Sequence, residues 1–277
     1  MLTIMALRQL WIRPLARLGW LSMVPPLKRD FVGGVDFVAH GKQFLGYFIE
    51  LCHLSRDAKV LDVGCGIGRM AIPLTQYLSP KGQYKGFDIV PLGIAWCQER
   101  INPRFPNFCF KLADIRNAAY NPAGKYMPTE FHFPYEENEF DFVFLTSVFT
   151  HMLPQDIEHY LSEIVRVLKP YGQCFITYFL LNEESTALIA SGASTLDFRH
   201  EMPGCLTINK DCPEYAVAYD EQLIRTYYKK YRLTIQEPVR YGSWPGRIQH
   251  YAYQDIIVGT KEGALGELDT TSRSLRQ

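Results

Sequence analysis

Residues 59–68 read Lys-Val-Leu-Asp-Val-Gly-Cys-Gly-Ile-Gly, an apolar run that carries Asp62 and then opens into glycines at 64, 66 and 68, separated by Cys65 and Ile67. A strand that feeds such a turn can bring bare backbone against a nucleotide-like ligand, because each missing Cβ removes a barrier to close approach. About twenty residues beyond Gly68 a second short run, 83–87, ends at Asp88. That is where a nucleotide-binding βαβ unit places the acid that accepts the two hydroxyls of a ribose. A third run, 107–112, ends two residues before Asp114. Three acids after three successive strands imply a parallel sheet whose carboxyl edge is the working edge.

The elements needed to hold that edge can be read from periodicity and from the breakers. Residues 41–54 place Phe44, Phe48, Leu51 and Cys52 at helical spacing ahead of the first strand. A helix is expected over 70–78, delayed or kinked by Pro73, and another from Pro91, whose missing N–H costs nothing at a first helical position, to about Ile101. Ile157, Tyr160, Leu161, Ile164, Val165 and Leu168 form an apolar stripe that begins near Pro154 and is stopped by Pro170 and Gly172. Strands are expected over 140–145, 173–181, 232–237 and 253–260, with a helix ending at 227–231. Segments 115–139 and 182–220 exceed what this scheme needs and read as insertions of the kind that cap a site.

In order along the chain, Val-Leu-Asp-Val-Gly-Cys-Gly-Ile-Gly-Arg, Gly-Phe-Asp-Ile, Leu-Ala-Asp-Ile, Phe140-Asp-Phe-Val-Phe-Leu and Glu163-Ile-Val-Arg-Val-Leu-Lys-Pro-Tyr-Gly-Gln resemble the motifs of the class I S-adenosylmethionine-dependent methyltransferases, small-molecule type. The resemblance runs from about 41 to 260. It implies an α/β, Rossmann-like sheet of seven strands, mostly parallel with the last antiparallel, helices on both faces and cap insertions. It also implies S-adenosyl-L-methionine as cofactor, with Asp62 and Gly64 near the methionine part, Asp88 on the ribose, Ile89 and Asp114 beside the adenine, and Cys65, Gly66, Gly68 and Ile115 also among the cofactor-binding residues. A nicotinamide enzyme shares this logic, but its Gly-x-Gly-x-x-Gly fingerprint is not completed, since Arg69, Met70 and Ala71 follow Gly68. The organisation implied is a leader over 1–40, a methyltransferase domain over 41–262 and a tail over 263–277.

A sulfonium methyl is already electrophilic, so the protein must align the partners, exclude water and, for some acceptors, remove a proton. His151, directly after the fourth strand, is the candidate base, since a histidine accepts a proton near neutral pH. A turn-holding role for His151 stays open. The loop 240–251 carries Tyr241, Trp244 and Arg247, and the segment after strand five carries Arg199 and His200. These rings and polar groups suit a mostly apolar pocket for a medium-sized organic or lipid-like acceptor, or else they pack the insertions onto the sheet. The alternative function is a cofactor-binding protein without turnover that works through partners or at a membrane surface. Nothing in the pattern calls for a metal.

The 277 residues carry 29 basic and 29 acidic side chains and are 47% hydrophobic, which fits a globular domain and leaves no electrostatic footprint for nucleic acid. Seven cysteines, an odd number with no Cys-x-x-Cys pair, point to reduced thiols and a cytoplasmic setting. Residues 1–29 combine Arg8, Arg13, Arg17, Lys28 and Arg29 with Trp11 and Trp20 and contain no acid. No apolar run there reaches the ~20 residues that span a bilayer. The segment reads either as a cover for the cofactor cleft or as a peripheral contact with anionic lipid, with Pro14, Pro25 and Pro26 against a long interfacial helix.

Overall fold

The computed structural model describes residues 22–26 and 36–263. Among them the chain runs α1 (Phe37–Cys52), β1 (Lys59–Val63), α2 (Ala71–Tyr77), β2 (Gln83–Asp88), α3 (Pro91–Arg100), β3 (Phe108–Leu112), β4 (Phe140–Leu145), α4 (Pro154–Val167), β5 (Leu168–Tyr178), β6 (Leu180–Leu181), α5 (Glu183–Ala190), β7 (His200–Met202), β8 (Cys205–Thr207), β9 (Val217–Asp220), α6 (Glu221–Lys230), β10 (Leu233–Ile235) and β11 (Asp255–Lys261). Seven strands form one sheet in the order β10-β11-β5-β4-β1-β2-β3. The pairs β1/β4, β4/β5 and β2/β3 are parallel, whereas β11 runs antiparallel to both β5 and the edge strand β10. This is the Rossmann-like sheet expected, with the last strand reversed. No helix among the described residues is long and apolar enough to cross a membrane.

The chain divides into two compact units. One comprises the residues up to Ala58 together with Gly64–Ala113. Its helix α1 starts at Phe37, four residues before the expected 41, because the carboxylate of Asp36 at the N-cap accepts the N–H groups of Val38 and Ala39 at 3.0 and 2.9 Å. Phe44, Phe48, Leu51 and Cys52 are buried along one side of the helix. In α2, Pro73 is buried in the first turn, where a missing N–H leaves no helical bond unmade. Tyr84 and Phe87 of β2 and Cys97 and Ile101 on or just after α3 are all at most 2% exposed and fill the interior. Residues 22–26 belong to this unit too, and the Met23 carbonyl accepts the Trp96 indole N–H at 2.9 Å. The rest of the basic leader, with its proposed lipid contact, lies outside the described residues.

The other unit comprises Lys59–Val63 and the residues from Asp114 on. Ile157, Leu161 and Ile164 of α4 are fully buried, as the stripe demands, and so are Leu61, Val143, Phe175 and Ile257 of the strands. Strand β5 differs from expectation at both ends. Strand β5 begins at Leu168, directly after α4, and runs through Pro170 and Gly172. Those residues form an irregularity with Tyr171 at φ 62° and a register shift opposite Phe140 and Phe142, so they bend the strand rather than precede it. At its far end β5 stops at Tyr178, because the Leu180 N–H is donated to the Asp255 carboxylate at 2.7 Å. Leu180 and Leu181 instead open a second, four-stranded sheet in the order β6-β9-β8-β7. The expected insertion 182–220 therefore has structure of its own, α5 and three strands. The expected strand 232–237 is only Leu233–Ile235.

Gly68 has φ 86°, and a Cβ there would come within 2.9 Å of Ile101 Cδ1 and 3.0 Å of Cys97 Sγ. Gly68→Ala is expected to destabilise the protein by about 1–2 kcal/mol for the left-handed backbone, with a further loss from crowding. The measurement is the urea unfolding midpoint, and a midpoint equal to the parent's would contradict the packing described.

Candidate functional site

The turn after β1 carries three glycines in left-handed backbone, with φ of 84° at Gly64, 54° at Gly66 and 86° at Gly68. Each is a conformation that costs a residue with a side chain about 1–2 kcal/mol, so the alternation of glycine is a backbone requirement before it is a ligand requirement. The N–H groups of Gly64 and Cys65 both donate to the Phe87 carbonyl, at 2.9 and 3.0 Å, and pin the turn to the end of β2. Cys65 is buried and packs where Gly86 has no side chain; a Cβ on Gly86 would lie 2.9 Å from the Cβ of Cys65.

Asp88 completes this arrangement. Its Oδ2 accepts the Gly66 N–H at 2.7 Å and its Oδ1 accepts the Val90 N–H at 2.8 Å. Burial raises its pKa, opposed by the N–H groups of Val90, Gly66 and Ile89. A carboxylate has about four lone-pair sites, so one that organises the turn in this way keeps room for a further donor such as a ribose hydroxyl. Of the remaining residues expected to contact the donor, Asp62 is buried in β1 and Ile115 is 2% exposed. Asp114 is exposed and holds the start of the following loop, its carbonyl accepting the N–H groups of Lys125 and Tyr126 at 3.1 and 3.0 Å.

His151 ends a 3-10 turn, Phe149–His151, just beyond β4. Its Nδ1 lies 3.0 Å from the Glu214 carbonyl. A carbonyl can only accept, so Nδ1 carries the proton and Nε2 presents a lone pair. Burial lowers the His151 pKa from 6.5, against the bonds that the ring makes to the main chain at Glu214 and Tyr215, which raise it, so the ring is neutral at pH 7. The Tyr120 hydroxyl is 3.5 Å from Nε2 and the two rings meet edge to face at 5.1 Å. The His151 ring is thus held with an unprotonated Nε2 toward Tyr120. Tyr120, Asn117 and Glu214 around it escaped sequence reasoning, since Glu214 holds the ring through its main chain and Asn117 the His151 carbonyl through its amide.

The residues expected to bind an acceptor are placed differently. Trp244 is fully buried against Phe179 and Phe198, at ring distances of 5.2 and 5.4 Å, and its indole N–H donates to Asp255 Oδ2 at 2.7 Å. The Arg247 side chain is 2% exposed and bonds Asp255, Glu184, Asn182 and the Gly242 carbonyl. Tyr241 donates to the Glu221 carboxylate at 3.0 Å and lies under the Arg247 guanidinium. These three groups anchor the loop 240–251, and the acceptor role expected of Trp244 and Arg247 is corrected to a structural one: no face of either side chain is left for a ligand. Arg199 pairs with Asp197 on the surface, and His200 opens β7 opposite Thr207. Neither is brought to His151 by any described contact.

A seven-stranded sheet in this order, with a left-handed glycine turn after the first strand and an acid ending the second, is the fold that the motifs' resemblance to the class I S-adenosylmethionine-dependent methyltransferases implies. Residues 61–176 match the family described as a methyltransferase domain. The demethylmenaquinone methyltransferase of Bacillus pumilus (strain SAFR-032) is 26% identical over 138 residues, 50% of this chain and 52% of that protein. The chain therefore spans about half the length of this curated relative. A protein of Pyrococcus horikoshii OT3 superposes with a TM-score of 0.57 at 16% identity, over 84% of this chain and 95% of its own. The magnesium protoporphyrin IX methyltransferase of Synechocystis PCC 6803 with bound SAH superposes with a TM-score of 0.52 at 14% identity, over 90% of this chain and 95% of its own. Both likenesses are of fold.

Trp244→Ala is expected to lower stability by about 3–5 kcal/mol, as for other buried large-to-small changes, and to leave the affinity for a donor analogue unchanged. Thermal unfolding and calorimetry of the same preparation separate the two effects. A stable variant with altered ligand binding would restore Trp244 to a binding role.

Proposed function

We propose that the protein transfers a methyl group from S-adenosylmethionine to a small or medium-sized organic acceptor with lipid character. The observation that carries this reading is the glycine turn folded onto Asp88, in which Gly66 and Val90 hold the carboxylate while its remaining lone pairs stay available. The residues fit the cofactor: the left-handed glycines admit a ligand against bare backbone, and Asp88 has the two acceptors a vicinal diol needs. When bound, the cofactor supplies a methyl carbon already activated by its sulfonium. The chain supplies alignment, a dry surface and, at His151 Nε2, an acceptor for the proton of an O–H or N–H nucleophile.

The relative from Bacillus pumilus acts, by its name, on demethylmenaquinone, and this supports the acceptor class. Incubation with methyl-labelled donor and an extract containing quinones and lipids, followed by identification of the labelled product by mass, tests the proposal. Donor binding with no labelled product from any fraction would favour a cofactor-binding protein without turnover.

Asp88→Ala is expected to weaken S-adenosylhomocysteine binding by about 1.5–3 kcal/mol, the range for hydrogen bonds to a charged group. Calorimetry with unchanged affinity would remove Asp88 from the cofactor site. His151→Ala is expected to lower turnover by roughly 10² or more with donor affinity retained, as for a lost general base. Because burial lowers its pKa, the base form persists on acidification past 6.5, so the acid limb of the parent's kcat/KM profile should fall below 6.5. A limb at or above that value would point to another group.

A further inference from the structure

Three stretches far apart in the chain converge on His151. The first is the loop after Asp114, where Asn117 Nδ2 donates to the His151 carbonyl at 2.8 Å. The second is the 3-10 turn Pro213–Tyr215, whose Glu214 carbonyl holds the His151 ring at 3.0 Å. The third is β9, where the Tyr219 hydroxyl reaches the carbonyls of Phe149 and Met152 at 2.5 Å each. The first two stretches are joined by the Glu214 side chain: Oε2 accepts the Ala118 N–H at 2.9 Å and Oε1 accepts Asn117 Nδ2 at 3.2 Å. Asn117 Oδ1 in turn accepts the N–H groups of Ala119 and Tyr120, which sets the position of the ring beside Nε2.

The two halves of Glu214 therefore do different work. Its carbonyl selects the tautomer of His151, and its carboxylate fastens that carbonyl's segment to the loop carrying Tyr120. One 3-10 turn of three residues is a weak support by itself, and elsewhere it is held by the Thr207 hydroxyl on the Pro213 carbonyl at 2.7 Å. We propose that Glu214 is a positioning residue for methyl transfer: its carboxylate, by holding Ala118 and Asn117, keeps its own carbonyl on His151 Nδ1, so that the lone pair stays on Nε2 beside Tyr120. The Tyr120 hydroxyl, at 3.5 Å, is bound too weakly to Nε2 to exclude an acceptor hydroxyl from it. This inference rests on His151 being the base, and it makes the two insertions jointly responsible for the state of that base.

The test reads the tautomer directly, without an acceptor. Full-length protein labelled with 15N at histidine gives long-range proton–nitrogen spectra in which the two ring nitrogens of a fixed tautomer are widely separated. The His151 signals are assigned by their disappearance in His151→Gln. The parent is expected to show a protonated Nδ1. Glu214→Ala should lose that preference, its two resonances moving toward a common average, while Glu214→Gln, which keeps an acceptor for the Ala118 N–H, should retain most of it. With the acceptor identified as above, Glu214→Ala should lower kcat about tenfold, part of the loss from removing a base altogether, with S-adenosylhomocysteine affinity unchanged. A parent-like tautomer in Glu214→Ala overturns the proposal. A shifted tautomer in a protein whose kcat survives both Glu214→Ala and His151→Ala upholds the positioning of the ring and overturns the assignment of His151 as base. Should Glu214→Ala unfold, Asn117→Asp decides: it sets a second carboxylate against Glu214 Oε1 and is expected to lose the Nδ1 preference, and a parent-like tautomer in that variant overturns the proposal.

Discussion

A single buried carboxylate determines how the larger unit is organised. Asp255, the first residue of β11, is fully buried and accepts four donors: the N–H groups of Leu180 and Gly242, the indole of Trp244 and the guanidinium of Arg247. Burial pushes its pKa up to about 6, while these donors pull it down. An uncompensated charge there would be prohibitive, so all four partners must arrive together. Their arrival explains why β5 stops at Tyr178, why the chain then leaves for a second sheet, and why the loop 240–251 folds over that junction instead of remaining open to ligands.

The glycine turn obeys a comparable economy in the smaller unit. Asp88 receives the main-chain N–H groups of Gly66 and Val90, among others, and so couples the turn to the start of α3. The same carboxylate that a diol would use is thus part of the folded turn before any ligand arrives. Such preorganisation reduces the ordering that binding would otherwise require.

What could be read from sequence was what local chemistry decides. The alternation of Gly64, Gly66 and Gly68 reports a left-handed backbone directly, and the stripe on α4 reports its buried side. The mostly parallel sheet and its reversed last strand followed from a resemblance and not from periodicity. Pro170 and Gly172 looked like a terminator because the same residues that end helices also bend strands; only the register with β4 distinguishes the two. The rings and cation of Tyr241, Trp244 and Arg247 looked like a pocket because composition cannot separate aromatic packing from aromatic binding. Asp255, which decides between them, reads in sequence as an ordinary strand end. Glu214 was invisible for a different reason: it sits 63 residues from His151 and 97 from Asn117, and half of its contribution is a carbonyl that any residue could provide.

Segments 115–139 and 182–220 have a consequence for how such a protein could diversify. The strands and the glycine turn carry the features shared across the fold, whereas the surroundings of His151 are contributed by Asn117, Tyr120 and Glu214, all of which lie in these additions. Replacing the additions would change what the histidine faces without altering the residues that form the turn around Asp88. The fold thereby places the turn around Asp88 and the surroundings of His151 in separate stretches of chain, so that either can be exchanged without rebuilding the other.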